Sequence, residues 1–579
     1  VKTVTAGPFL AGQVTHTQGV HTVVRRRSRS FRRSWLAAGA LSFAVIAAAC
    51  GGGDGEGGSG GSGGGGDAEA GKPVYGGSVV YGLEAENSGG WCLPEGQLAI
   101  AGIQVARTIY DTLTAPDENG EYQPFLAQSV EPNEDYTQWT ITLRDGVKFH
   151  DGSPLTAEVV KNNLDAYRGA YPARKPLLFI FVLDNIADVS VVDPLTVQVT
   201  TKSPWPAFPA YLHSSGRLGM IAQAQLDDPE TCDRNLIGTG PFKLKEWKVN
   251  DHLTAVRNTD YWQKDADGNQ LPYLDEITYR PIPDGDARVN ALLAEELNAM
   301  HTATPENIDR LRTEADNGKV AVNESDKFAE VTYVMFNASK PPFDNINARL
   351  AAAHAVDRDA FNEVRNLGLT KVASGPFAPG SVGYLEDAGF PTYDLDKAKD
   401  YAAKYTQETG LPLEITVLST PDPSTVKSAQ FIQEQVEKAG FKVNLKTVEQ
   451  AALINNALGS DWNAMAWRNH PGGAPDLQYV WWKSGSPVNF GKFNDPEMDA
   501  LLDAGRLESD SDKAAAIYQD VNRRFGSQVW NAWLNWTIWD VATAPSVHGV
   551  FGPDLPDGGK PFPGLATGHP VSGMWISQD

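Results

Sequence analysis

The stretch from Leu413 to Val448 constrains the fold more tightly than any other part of the chain. Leu413, Ile415, Val417 and Leu418 read as a strand. Ser424 to Lys438 has the spacing of an amphipathic helix with Gly440 placed to cap it, and Val443, Leu445 and Val448 read as the next strand. A strand, a helix and a strand in about 36 residues form a βαβ unit. Its strands should be parallel and its crossover right-handed. Parallel strands need helices over both faces, so an α/β protein is expected.

The chain has 579 residues, too many for one simple core, and two or three domains are expected. Its 72 Asp and Glu outweigh 49 Lys and Arg, a net charge of −23 that argues against a nucleic-acid backbone as partner. The charge is unevenly spread. The first 49 residues carry Lys2, Arg25, Arg26, Arg27, Arg29, Arg32 and Arg33 and no acid. The apolar run from Trp35 to Ala49 that follows is shorter than the roughly 20 residues that span a bilayer. It ends in Ala47-Ala48-Ala49-Cys50 and resembles a bacterial lipoprotein signal, in which Cys50 becomes the lipidated first residue; Ala47 stands where such signals usually have Leu, Val or Ile. Arg32-Arg33-Ser34-Trp35-Leu36 also resembles the twin-arginine export pattern, so the export route stays open. From Gly51 to Gly71 the chain is mostly Gly and Ser, the composition of a tether. Two cysteines remain, Cys92 and Cys232. Outside the cytoplasm they either pair across a 140-residue separation or stay unrelated thiols, and pairing is expected because both fall in one lobe as assigned below.

Three blocks carry a family resemblance. The first is Arg144-Asp145-Gly146-Val147-Lys148-Phe149-His150-Asp151-Gly152-Ser153-Pro154-Leu155-Thr156-Ala157, preceded by an alternating strand through Trp139, Ile141 and Leu143 and followed by a helix with Thr156 as N-cap. The second is Ile237-Gly238-Thr239-Gly240-Pro241-Phe242, then a hairpin about Asn250-Asp251, then Arg257-Asn258 and Tyr261-Trp262, with Tyr273-Leu274-Asp275-Glu276-Ile277 beyond. The glycines there suit a sharp turn. The third runs from Phe336-Asn337 through Pro342-Phe343 and Arg349 to Asp357-Arg358. In this order the blocks resemble the family 5 solute-binding proteins of ABC importers, over roughly Val74 to Val550.

That resemblance implies a periplasmic-binding-protein-like α/β fold, class II of the large peptide-binding type. Its two lobes of mixed sheets would be joined by a hinge crossed twice, with an extra subdomain in the first lobe. The expected division is a signal peptide over 1–49, a lipidated cysteine and linker over 50–72, a first lobe over 73–325 with an insertion at about 112–225, a second lobe over 326–540, and a return over 541–579. The implied activity is capture of a peptide or similar small solute between the lobes and delivery to an ABC permease and ATPase complex. The protein would act as a monomer held to the outer face of the membrane by its lipid, without a cofactor, metal or nucleic acid.

Candidate ligand contacts follow from the same likeness. Peptide-binding members place an aspartate after W-x-G to pair with the ligand's amino group, and here Trp467-Arg468-Asn469-His470 puts a histidine in that place. Asp476 nearby is a possible substitute, Arg468 suits a carboxylate or phosphate, and Trp467, Trp481 and Trp482 either stack on a ligand or pack in the core. Glu84 and Trp91 follow the first strand where a loop would face the cleft. His150, without a second histidine at ligand spacing, reads as a structural hydrogen-bonding residue. Two other classes remain: a secreted α/β hydrolase, although G-x-S-x-G occurs only in the Gly/Ser tether, and a sensing receptor uncoupled from transport.

Overall fold

A computed structural model describes residues 71–578 apart from 88 and 470–472. The expected signal peptide, Cys50, the Gly/Ser tether and His470 therefore lie outside the described residues.

The βαβ unit is present. Strands Glu414–Ser419 and Lys442–Thr447 pair in parallel, and helix Pro423–Glu437 crosses between them. Asp422 caps that helix, its side chain accepting from the Thr425 N–H, and Pro423 fits the first turn because the N–H it lacks would have no helical partner there. This unit forms one edge of a six-stranded mixed sheet, in the order Lys371–Val372, Asn531–Trp536, Val331–Phe336, Ala464–Asn469, Glu414–Ser419, Lys442–Thr447. Every residue of Asn531–Trp536 is buried, as a central strand covered on both faces requires. The tryptophans at 530, 533 and 536 thus serve packing.

A second sheet has seven strands, in the order Ala321–Ser325, Trp539–Thr543, Ala299–Thr302, Ser78–Leu83, Glu276–Pro281, His252–Arg257, Phe242–Lys248. The hairpin expected after Gly240 forms its far edge, pairing Phe242 with Arg257 and Lys248 with His252. The four strands Ala127–Pro132, Gln138–Leu143, Thr196–Thr201 and Ile186–Asp193 make an antiparallel sheet of their own. Beside it helix Ala157–Tyr167 starts from Thr156, whose hydroxyl accepts from the Val159 N–H. Lys148 to His150, the turn back after Asp145-Gly146, forms no strand. Only an isolated bridge, Lys148 to Pro154, is present, because His150 turns away to the second motif.

That meeting explains both motifs. The Gly238 N–H donates to His150 Nδ1 at 3.3 Å, His150 Nε2 lies 3.0 Å from the Gly240 carbonyl, and the His150 N–H donates to the Gly238 carbonyl. Burial chiefly holds the ring's pKa down at about 4, so it is neutral, with its Nε2 proton toward Gly240. Neither Gly238 nor Gly240 has positive φ, contrary to the turn expectation. They are glycines because the end of helix Ile100–Ile109 lies against them: a Cβ on Gly238 would come 2.0 Å from the Ile109 carbonyl oxygen.

The lobes are joined by two antiparallel crossings. Strand Ala321–Ser325 of the seven-stranded sheet leads into Val331–Phe336 of the six-stranded sheet, and Asn531–Trp536 leads back into Trp539–Thr543. Ser325 pairs with Trp539 on one side of the crossing and Val331 with Trp536 on the other. Between them the Thr537 N–H donates to the Glu330 carbonyl at 2.8 Å.

Candidate functional site

The strand ends converge on this crossing. Glu84 follows the last residue of Ser78–Leu83, and its backbone N–H donates to His301 Nε2 at 3.1 Å. His301, in Ala299–Thr302, is wedged between the rings of Tyr81 and Trp539. Desolvation is the main reason its pKa falls to about 4, so it is a neutral acceptor for Glu84. Glu330, fully buried just before Val331–Phe336, accepts from the Trp539 indole at 3.1 Å.

Arg468 reaches this cluster from the six-stranded sheet. Its guanidinium lies 3.7 Å from Glu84 and 3.7 Å from Glu330, on the Trp539 side at 5.9 Å from the ring. Its side chain is 40% exposed, that of Glu84 22% and that of Glu330 0%, so both are long ion pairs rather than fixed forks, and the second is made to a buried carboxylate. The arrangement offers a cation and two carboxylates at the junction of the lobes, a chemistry suited to a solute carrying both charges.

Other predicted residues sit elsewhere. Trp467 is half-buried and edge-on to Phe490 at 5.6 Å, and Asn469 ends the strand with its backbone opposite Val331. Trp91 does not face the cleft: it is 2% exposed, packed edge-on against Trp247, which corrects that expectation. Its neighbour Cys92 is bonded to Cys232, with Arg174 Nη1 3.0 Å from the Cys92 sulfur. Trp482 is likewise in the core, against Phe377 and Phe525.

Asp476 needs the larger correction. It is buried, and both carboxylate oxygens are engaged: Arg506 Nε donates to Oδ1 at 3.1 Å, Arg506 Nη2 to Oδ2 at 3.2 Å, and the Trp205 indole to Oδ2 at 3.0 Å. An acid satisfied this fully is bound to its own protein. Trp205, Arg506, His301 and Glu330 were not singled out from the sequence. The Pro-flanked Trp205 and the basic last turn of helix Pro496–Leu507 were the available signals.

Among the described residues no group of three His, Cys, Asp or Glu side chains could hold a metal ion, and no helix is long and apolar enough to cross a membrane. Two α/β lobes on a doubly crossed hinge, with charged groups gathered at the crossing, define a two-lobe binding protein of the periplasmic-binding class. The model for bacterial extracellular solute-binding proteins, family 5 Middle, matches residues 121–491, and the chain belongs to that family. It is 31% identical over 348 residues to the glutathione-binding protein GsiB of Salmonella typhi, covering 60% of this chain and 65% of the relative. The chain thus spans slightly under two thirds of that relative's length. The periplasmic binding protein DppA of Helicobacter pylori, solved with the peptide STSA, superposes with a TM-score of 0.76 at 21% identity, covering 87% of this chain and 99% of that one. AgaA from A. tumefaciens R10, solved with agropinic acid, gives 0.75 at 25% identity, with 87% and 99% covered.

Proposed function

We propose that the protein is an extracytoplasmic solute-binding receptor of an ABC importer. It captures a peptide or similar small solute between its lobes and hands it to a permease and ATPase complex. The observation that carries this is Arg468, brought by the second lobe to within 3.7 Å of Glu84 in the first and of Glu330 in the crossing. A solute that takes over these ion pairs contacts both lobes, and contacts made to both at once favour only the closed arrangement. Ligands in the relatives' names, glutathione, a short peptide and agropinic acid, support a solute with charged ends. Glu84, Trp467, Arg468, Asn469 and His470 are the proposed contacts, and the lobes are proposed to divide near 325 and 540. Binding rather than catalysis is the whole of the proposed activity. The molecule would be tethered outside the cytoplasmic membrane by lipid on Cys50, the Gly/Ser stretch giving it reach.

A thermal-shift screen tests this directly. Glutathione, short peptides, opine-like conjugates, oligosaccharides and metal chelates are offered in turn, and a ligand of the folded state raises the melting temperature with concentration. One class should do so. Failure of every class, together with turnover of ester or amide substrates, would replace the receptor by the hydrolase.

A further inference from the structure

A second junction lies away from the Arg468 cluster and has no assigned role. Trp205 and Tyr211 follow the last strand of the four-stranded sheet, whereas Asp476 follows Ala464–Asn469 of the six-stranded sheet and Arg506 ends helix Pro496–Leu507. The bonds between them therefore join separate bodies. The Trp205 indole donates to Asp476 Oδ2 at 3.0 Å, the Tyr211 hydroxyl donates to the Asp476 carbonyl at 2.5 Å, and Arg506 Nη2 donates to the Tyr211 oxygen at 2.7 Å. Arg506 is stacked on Tyr479, 3.5 Å from the ring centroid. Trp205 and Tyr211 are fully buried and Asp476 is 2% exposed.

An independent contact closes the same face. Gly473 lies against Gly120 so tightly that a Cβ on Gly473 would meet the Gly120 carbonyl oxygen at 2.4 Å, and the Gly473 N–H donates to the Tyr122 hydroxyl at 3.2 Å. Two peptide backbones in contact leave no room for further approach.

We propose that this node is a closure gauge: Trp205 and Tyr211 set the affinity for the solute, and the largest solute that binds tightly, without touching it. The proposal rests on the receptor function above. Its physical basis is the short range of hydrogen bonds, which are lost beyond about 3.5 Å. A solute that keeps the lobes apart by even ~1 Å forfeits all three bonds and wets a buried cation and carboxylate. Asp476, Arg506 and Tyr518 belong to the second lobe and stay paired when the lobes part, the Tyr518 hydroxyl reaching Asp476 Oδ1 at 3.4 Å. Opening therefore costs the bonds from Trp205 and Tyr211, and a solute small enough to permit closure recovers them.

The test uses Tyr211→Phe, which keeps the ring, and Trp205→Phe, each checked for cooperative unfolding without ligand. Binding is measured with glutathione, with the tetrapeptide STSA and with a nine-residue extension of it. Wild type should favour the short probes, and Tyr211→Phe should weaken them about five- to tenfold, through faster dissociation, while leaving the nine-residue peptide unchanged. Equal weakening of all probes, or of none, overturns the gauge. Spin labels on exposed positions 184 and 427 give a second readout that needs no ligand. The distance distribution should move to longer values in Tyr211→Phe, and an unmoved distribution also overturns the proposal. If no probe binds wild type, glutathione and these peptides are excluded as solutes, whereas the distances still judge the node.

Discussion

Among the charged contacts at the meeting of the lobes, which include Arg365 to Glu306 at 3.2 Å, two are built in opposite ways. At the hinge, Arg468 stands 3.7 Å from each of two carboxylates with 40% of its side chain in solvent. At the node, Arg506 bonds Asp476 at 3.1 Å, with side-chain exposures of 11% and 3%, inside a shell of aromatic rings. A buried, fully bonded pair cannot exchange partners without a large desolvation cost, whereas a long pair from a half-exposed guanidinium loses less when a partner changes. The loose junction is thus suited to recognition and the tight one to holding shape.

The comparison breaks most visibly at Asp476. Asp476→Ala strands a buried guanidinium and should lower unfolding stability by about 3–5 kcal/mol in urea titration. Arg468→Ala should weigh more on binding: removing a cation 3.7 Å from the buried Glu330 carboxylate should cost about 1–3 kcal/mol of stability, less than Asp476→Ala, while solute affinity falls by about 2 kcal/mol, read by calorimetry. If the two variants behave alike, the division of roles is wrong. Gly473→Ala introduces a Cβ against the Gly120 backbone and should cost about 1–2 kcal/mol of solute affinity by propping the lobes apart, with little change in unliganded stability. The smallest effect is a dependence on pH. His301 at the hinge is held near 4, below the ordinary value of 6.5, chiefly by burial, so the unfolded chain binds its proton first. Its contribution is complete above pH 6.5 and is lost as pH falls toward 4, about 1 kcal/mol being gone at pH 6. His301→Gln should reduce that pH dependence without abolishing it, because the buried rings of His150, His213 and His569 are held low by burial in the same way.

Much of the fold was legible because it is local. The βαβ unit, the hairpin after Gly240 and the Thr156-capped helix each follow from spacing within some 40 residues. The resemblance supplied the two lobes and their double hinge. The site was less legible. Arg468 and Glu84 do meet, but they are 384 residues apart in the chain, and nothing periodic brings them together. Trp91 and Asp476 carry side chains suited to a ligand, and only tertiary packing reveals that Trp247 and Arg506 already occupy them. Gly238 was misread for the same reason: a glycine needed for close approach looks, in sequence, like one needed for a turn.

The paired crossings have a mechanical consequence. Each crossing segment, 326–330 and 537–538, is flanked at both ends by ladder-bonded strands. Stretching or shearing the junction would break bonds on both sides, whereas bending across it spares them. The junction therefore bends more readily than it stretches or shears. A surface that grips both bodies would sense such a bend without touching anything held between them.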